Sequence, residues 1–183
     1  ESGLHVLHIR TLTGLLLHQL AQKTDRYQLD ESDISLISTA SALHDIGKIM
    51  IPEEILNKPG RLTEEEYATI KTHTTEGARI LKELAIGQDE PLVKVAHAIC
   101  RWHHERWDGG GYPDRLKGDE IPIAAQVVAL ADVYDALTSE RCYKQSYSHE
   151  KAVDMILHGE CGSFNPLLME CLKESSELLR TEL

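Results

Sequence analysis

Histidine and carboxylate recur in a spaced order along this chain: His44-Asp45, His73, His103-His104 and Asp132. Imidazole is the commonest metal ligand and carries protons near neutral pH. A mixed set of imidazole nitrogens and carboxylate oxygens suits borderline divalent ions such as Fe, Mn, Zn or Ni, with carboxylate free to bridge two of them. In His44-Asp45-Ile46-Gly47-Lys48 the His and Asp are adjacent, about 100° apart on a helix, so both face one point only near a helix end or in a concave bundle core. Gly47 permits such an ending, and Lys48, four residues after His44, returns toward the His44 face. Taken alone, the block reads equally well as a buried His and an Asp at a helix C-terminus, where the dipole disfavours a carboxylate.

The spacing favours the metal. From His44 to His73 is 29 residues, from His73 to the double His 30 or 31, and from there to Asp132 28 or 29. Each interval is roughly one helix plus its connection, so successive helices of a bundle could each deliver one or two ligands to a common centre. Glu1 and His5 stand at i and i+4, on one helical face. Together these are five histidines and three carboxylates, enough for two or three ions with positions left for water and substrate.

The elements that must carry them are helical. Apolar residues fall at helical spacing from Leu4 through Leu7, Leu12, Leu15, Leu16 and Leu20, then from Ile34 through Ile37 and Ala40 to Leu43. A third helix opens at Thr63, with Glu66 three residues on as a capping box, and its pattern runs unbroken to Leu84. Pro91 opens a fourth that leads up to the double His, Ile121 to Ser139 reads as a fifth, and two more span His149 to His158 and Pro166 to the C-terminus. Two turn-rich loops interrupt, Ile51 to Leu62 and Trp107 to Asp119, the second holding Gly109-Gly110-Gly111-Tyr112-Pro113. The expected architecture is a single-domain all-α bundle of about seven helices spanning 1–183.

Composition bounds the partners. The 183 residues carry a formal net charge of −11, which excludes a broad basic face for duplex nucleic acid. Cys100, Cys142, Cys161 and Cys171 form no C-x-x-C pair and read as reduced. No apolar run approaches the roughly 20 residues of a membrane span and none resembles a signal peptide, so a cytoplasmic domain without membrane contact is expected. The start at Glu1, without an initiator Met, reads as a domain cut from a longer protein with a regulatory domain upstream.

The ordered set of motifs resembles the HD-GYP subgroup of the HD phosphohydrolase superfamily, bacterial phosphodiesterases of cyclic di-GMP, over essentially the whole length. It is carried by Glu1 to His5, His44 to Lys48, Ile51-Pro52, Lys58-Pro59-Gly60, Lys71-Thr72-His73, Glu76-Gly77, His103 to Pro113, Gly118, Ile121-Pro122 and Ala131 to Thr138. The resemblance implies metal ligation by His44, Asp45, His73, His103, His104 and Asp132, with Asp45 bridging, and a third metal on Glu1 and His5. It places Lys48 at the scissile phosphate, Tyr112 in the signature loop, and Asp135, Arg141 and Lys144 against the dinucleotide. Arg141 and Lys144, at i and i+3, also suit phosphate on their own chemistry. Fe or Mn are the preferred ions, the products are pGpG and then GMP, and a diguanylate cyclase domain docking at Gly109 to Pro113 and a homodimer are compatible partners. The chain departs from the family at Cys142, where Pro is common, at Gln126, where Arg is frequent, and at Asn165, where Asp is common before Pro166.

Two rivals follow from the same residues: an HD phosphohydrolase of another cyclic dinucleotide or nucleotide, and a module that binds nucleotide without hydrolysis. The catalytic reading makes Asp45 and Lys48 central, since paired ions generate a nucleophile from water and Lys48 meets developing negative charge. It names no proton donor for the leaving oxygen. His8, His18, His149 and His158 read as ordinary structure, with His8 off the His5 register and His149 as a cap. His97 reads as a core histidine. Trp102 and Trp107 read as packing, or as walls of a guanine pocket.

Overall fold

The computed structural model describes residues 3–84, 90–139 and 146–182. Glu1, Arg141, Cys142 and Lys144 therefore lie outside the described residues. The described chain is all-helical, without strands: α1 (Gly3–Lys23), α2 (Glu31–Ser41), α3 (Glu53–Leu56), α4 (Glu64–Lys71), α5 (His73–Glu83), α6 (Pro91–Trp102), α7 (Ile123–Thr138), α8 (His149–Leu157), α9 (Pro166–Glu174) and α10 (Ser176–Glu182). Two 3-10 turns, Ile46–Met50 and Gly118–Glu120, complete it.

Local chemistry sets the boundaries. Thr63 and Glu66 form the expected reciprocal capping box of α4, Pro91 occupies the start of α6, and the Asn165 side chain accepts from Leu167 N ahead of α9. An uncapped helix end would leave backbone N–H groups without partners.

The core is built around α1 and α7. Ile9, Leu12, Leu16, Leu17 and Leu20 of α1 are buried, and α1 packs on α2, α7 and α9. From Ala124 to Ala131 every residue of α7 is buried, as expected of a helix apolar on all sides. α6 packs on α5, α2 and α7. No helix is long and apolar enough to cross a membrane among the described residues.

Two of the seven expected helices are divided. The apolar pattern from Thr63 runs on to Leu84, yet the helix breaks at Thr72, between α4 and α5. There, side chains capture four successive carbonyls: Thr72 Oγ1 donates to Thr69 O (2.7 Å), His73 Nδ1 to Ile70 O (2.7 Å), Thr74 Oγ1 to Lys71 O (2.9 Å) and Thr75 Oγ1 to Thr72 O (2.9 Å). Such local bonds compete with the helical ladder. The C-terminal helix likewise divides at Ser175 into α9 and α10.

Candidate metal centre

Five elements meet at one point. His44 and Asp45 lie past the end of α2, in the turn leading to the 3-10 segment Ile46–Met50, the helix-end position at which adjacent residues can converge. Gly47 seats this turn on α5: a Cβ there would overlap the His73 carbonyl and stand 2.5 Å from Gly77 N. His73 opens α5, His103 directly follows α6, Asp132 lies in α7, and His5 lies near the start of α1.

The resulting donors fall into two groups, Asp45, His73, His103 and His104 in one and His5, His44 and Asp132 in the other, with the ligand atoms of each within 4.8 Å of one another. Asp45 stands between them. Its Oδ1 lies 3.2 Å from His73 Nε2 and 3.6 Å from His103 Nε2, while its Oδ2 lies 3.1 Å from His44 Nε2 and accepts from Lys48 Nζ at 2.6 Å. A carboxylate with one oxygen turned to each group is placed to bridge two ions.

The hydrogen-bond partners of the rings suit a cation. His73 Nδ1 lies 2.7 Å from Ile70 O, and His103 Nδ1 lies 2.9 Å from Ile99 O. A carbonyl oxygen only accepts, so each ring carries its hydrogen on Nδ1 and, when neutral, a lone pair on Nε2. Those two Nε2 atoms stand 3.3 Å apart. Burial pushes the His103 and His104 imidazoles below their ordinary range, so neutral rings are favoured. Converging lone pairs without a hydrogen between them repel, whereas a divalent ion satisfies both. His44 follows the same rule, with Nδ1 2.9 Å from Ser41 O.

Asp135 holds the second group. Its carboxylate is 1% exposed; Oδ2 accepts from His5 Nδ1 at 2.7 Å, and Oδ1 accepts from His8 Nδ1 at 2.7 Å and from Ser139 Oγ at 2.8 Å. Burial alone would raise its pKa, but the bonds from His5, Ser139 and His8 outweigh that and hold it below the usual carboxylate range. Carboxylate behind imidazole fixes the tautomer and orientation of a ligand. The resemblance puts Asp135 against the dinucleotide; here both its oxygens are engaged by α1 histidines and Ser139. His8 is the residue that sequence reasoning missed. At i+3 from His5 it shares a helix face, and it lines the same cavity.

The signature loop is pinned from below. The buried Glu105 carboxylate accepts from the backbone N–H groups of Asp114 (2.7 Å), Arg115 (3.0 Å) and Leu116 (3.0 Å). A Cβ on Gly111 would lie 2.5 Å from Arg106 N, Glu105 Cα and His104 O, so only glycine lets the loop lie this close to the double-His backbone. Tyr112 then stacks on the His104 ring, 4.9 Å between centroids and 20° between planes. The Trp102 side chain braces the loop, Nε1 donating to Asp114 Oδ2 at 2.7 Å, while the Trp107 backbone N–H donates to Ser163 O at 3.0 Å, and the cavity is lined by other residues.

A cavity of about 1040 Å³ opens above the donors, lined among others by Asp45, Lys48, His104, Tyr112, Asp132 and Asp135. It is at the upper end of the range typical of small-molecule sites. His149 also lines it; the cap of α8 is Ser148, and the His149 ring instead joins Tyr134 Oη (2.6 Å) to Ser176 Oγ (2.7 Å). His18 and His158 stay exposed beside Glu31 and Asp154, and His97 packs edge-on against Trp102 at 6.4 Å.

Comparison with known proteins matches residues 7–164 to the HD domain family. A Vibrio cholerae protein named "Probable cyclic di-GMP phosphodiesterase" is 44% identical over 93% of this chain and 39% of its own length. A second from the same organism, "3'3'-cGAMP-specific phosphodiesterase 2", is 40% identical over 95% of this chain and 31% of its own. The chain thus spans well under half of either relative. Among solved structures, an HDG"Y"P protein from Bdellovibrio bacteriovorus superposes with a TM-score of 0.70 at 21% identity, covering 94% of this chain and 51% of that one.

Proposed function

The chain belongs to the HD domain family, and from that premise we propose that it is a metal-dependent phosphodiesterase that opens cyclic di-GMP to linear pGpG, with GMP as the further product. The observation that carries this reading is the pair of donor groups joined by Asp45 beneath a cavity large enough for a dinucleotide. Relatives named for cyclic di-GMP and for 3'3'-cGAMP hydrolysis support a cyclic dinucleotide as the substrate class. His44, Asp45, His73, His103, His104, Asp132 and His5 would hold the ions, with Glu1 joining His5 where a third is bound. Such ions, Fe or Mn by preference, supply Lewis acidity and a hydroxide nucleophile near neutral pH.

The chain's own residues do the rest. Lys48, anchored on Asp45 Oδ2, presents a cation where a phosphorane-like transition state gathers negative charge. Asp135 keeps the Nε2 of His5 turned toward its group. Tyr112, stacked on His104, closes one wall and excludes water from that ligand. Arg141 and Lys144 are proposed to grip the dinucleotide phosphates. A diguanylate cyclase partner at Gly109 to Pro113, a regulatory domain in cis, self-association and a cytoplasmic setting belong to the same proposal.

Turnover of the anaerobically purified, metal-loaded chain, resolved by chromatography with cyclic di-GMP and 3'3'-cGAMP as separate substrates, tests it. Asp45→Ala is expected to lose both bound metal by elemental analysis and all turnover, because one carboxylate serves both groups. Retained hydrolysis in that variant would reject the mechanism, and binding without turnover in the wild type would return the chain to the non-catalytic reading.

A further inference from the structure

The mechanism lacks a source for one proton. When the P–O3′ bond breaks, the departing oxygen is an aliphatic alkoxide, a poor leaving group unless it is protonated as it leaves. Among the protic side chains lining the cavity, several are already committed. Lys48 Nζ is held on Asp45 at 2.6 Å, and both His149 nitrogens are bonded, to Tyr134 Oη and Ser176 Oγ. Arg106 and Arg180 line the cavity too, but guanidinium does not release its proton in proteins. The Tyr134 phenol is pushed by burial up to about 12.

His8 differs from all of these. One carboxylate, Asp135, holds two imidazoles from adjacent turns of α1: His5 through Oδ2 and His8 through Oδ1, both at 2.7 Å. The two rings then diverge in role. His5 Nε2 joins the donor group of His44 and Asp132, whereas His8 is in neither donor group. Its Nδ1–H is fixed on a carboxylate, its side chain is 15% exposed, and it stands in the cavity wall. An imidazole whose Nδ1–H is held by a buried carboxylate is fixed in one orientation, the arrangement in which His exchanges protons with a reacting group through Nε2.

We propose that His8 is the proton donor to the leaving 3′ oxygen, an inference that rests on the phosphodiesterase reading above. In the step, the nucleophilic oxygen bonds to phosphorus, and the P–O3′ bond breaks with its electron pair passing to O3′. The proton on His8 Nε2 moves to that oxygen to give the 3′ hydroxyl. His8 is left as neutral imidazole with Nδ1–H still on Asp135, and it is reprotonated from solvent while the nucleophile's surplus proton is lost to solvent. Asp135 is a positioning residue in this step, serving a ligand with one oxygen and the proton donor with the other.

The test sets His8→Asn, which keeps an N–H for Asp135 but carries no transferable proton, against two substrates. Cyclic di-GMP has an alkoxide leaving group; bis(p-nitrophenyl) phosphate releases a stabilised phenolate that needs no proton. The expected result is a kcat on cyclic di-GMP lowered roughly 100- to 10,000-fold, with the aryl diester rate, the metal content by elemental analysis and the circular dichroism unchanged. Equal loss on both substrates, unchanged turnover of cyclic di-GMP, or loss of metal from the variant would each overturn the assignment. A wild-type chain that cleaves the aryl diester but opens no cyclic dinucleotide would instead overturn the substrate reading, and the inference with it.

Discussion

At Gly47 the absence of a side chain sets how closely two elements carrying candidate donors approach. A methyl group there would overlap the His73 carbonyl and press on Gly77 N, driving the turn that carries His44 and Asp45 away from α5. Overpacking of this kind costs typically 1–3 kcal/mol. Gly47→Ala is therefore expected to lower the urea midpoint and to lose metal together, and a variant that is destabilised yet fully metallated would separate the turn from the centre. The convergence of these donors was legible because spacing of about one helix repeats along the sequence, whereas Asp45 as a bridge was an expectation from the family resemblance. His8 was not legible, because its role depends on Asp135, 127 residues away, although its i+3 relation to His5 was a usable signal. His97 carries a different prediction. Burial, then the nearby charges of Arg101 and Lys82, hold its imidazole below the ordinary range. With the folded pKa below the unfolded value of about 6.5, its contribution is complete above that pH and is lost as pH falls through the folded value. Wild-type stability should thus drop more steeply than that of His97→Gln between about pH 7.5 and 5.5, read as urea midpoints; parallel slopes would show that other groups set the acid response.

Between elements, the type and order of the longer helices were readable, but their continuity was not, nor was the short α3 inside the expected loop from Ile51 to Leu62. The Thr63 capping box and the Asn165-Pro166 start are local and were readable, whereas the break at Thr72 was hidden because the apolar period continues through it. What ends α4 is a run of hydroxyl and imidazole donors that outcompete the ladder, and the same run turns His73 toward the centre. A comparable hidden contact links α7 and α9. Gln126 and Asn165 read as two unrelated departures from the family's frequent Arg and Asp, yet Asn165 Nδ2 donates to Gln126 Oε1 at 2.9 Å in a buried setting. Gln126 Nε2 in turn donates to Ile121 O at 2.7 Å, and Asn165 Nδ2 also donates to Tyr27 Oη at 2.8 Å. A neutral amide pair here stands where the family pattern would set an ion pair. Gln126→Arg or Asn165→Asp alone buries a charge against a neutral partner, a loss on the order of 3–5 kcal/mol. The double variant restores the pair, so a double-mutant cycle by urea unfolding is expected to give a favourable coupling of about 2–3 kcal/mol; additive losses would mean that the two amides do not act as a unit.

Across the whole molecule, a net charge of −11 surrounds a cavity whose wall sets Asp45, Asp132 and Asp135 against Lys48, Arg106 and Arg180. Protein charges alone leave that wall near balance, and bound divalent ions would tip it positive, inverting the field that a doubly anionic dinucleotide would meet. Ions held by these donors would tie α1, the turn after α2, α5, the end of α6 and α7 together, and so would bind the folded chain and not the unfolded one. Ligand present at 100 times its Kd stabilises by about 2.7 kcal/mol, and in a chain of this size each kcal/mol moves Tm by about 2–4 °C. Chelation, with removal checked by elemental analysis, is therefore expected to lower Tm by about 5–10 °C and to weaken cyclic di-GMP binding at constant ionic strength, both recovering when Fe or Mn is restored. The two readouts separate the two roles of the centre. If Tm falls while dinucleotide affinity holds, the ions tie helices together but do not set the field of the cavity. If neither changes once the metal is gone, the converging Nε2 atoms of His73 and His103 are satisfied without a cation, and the centre is not a metal site.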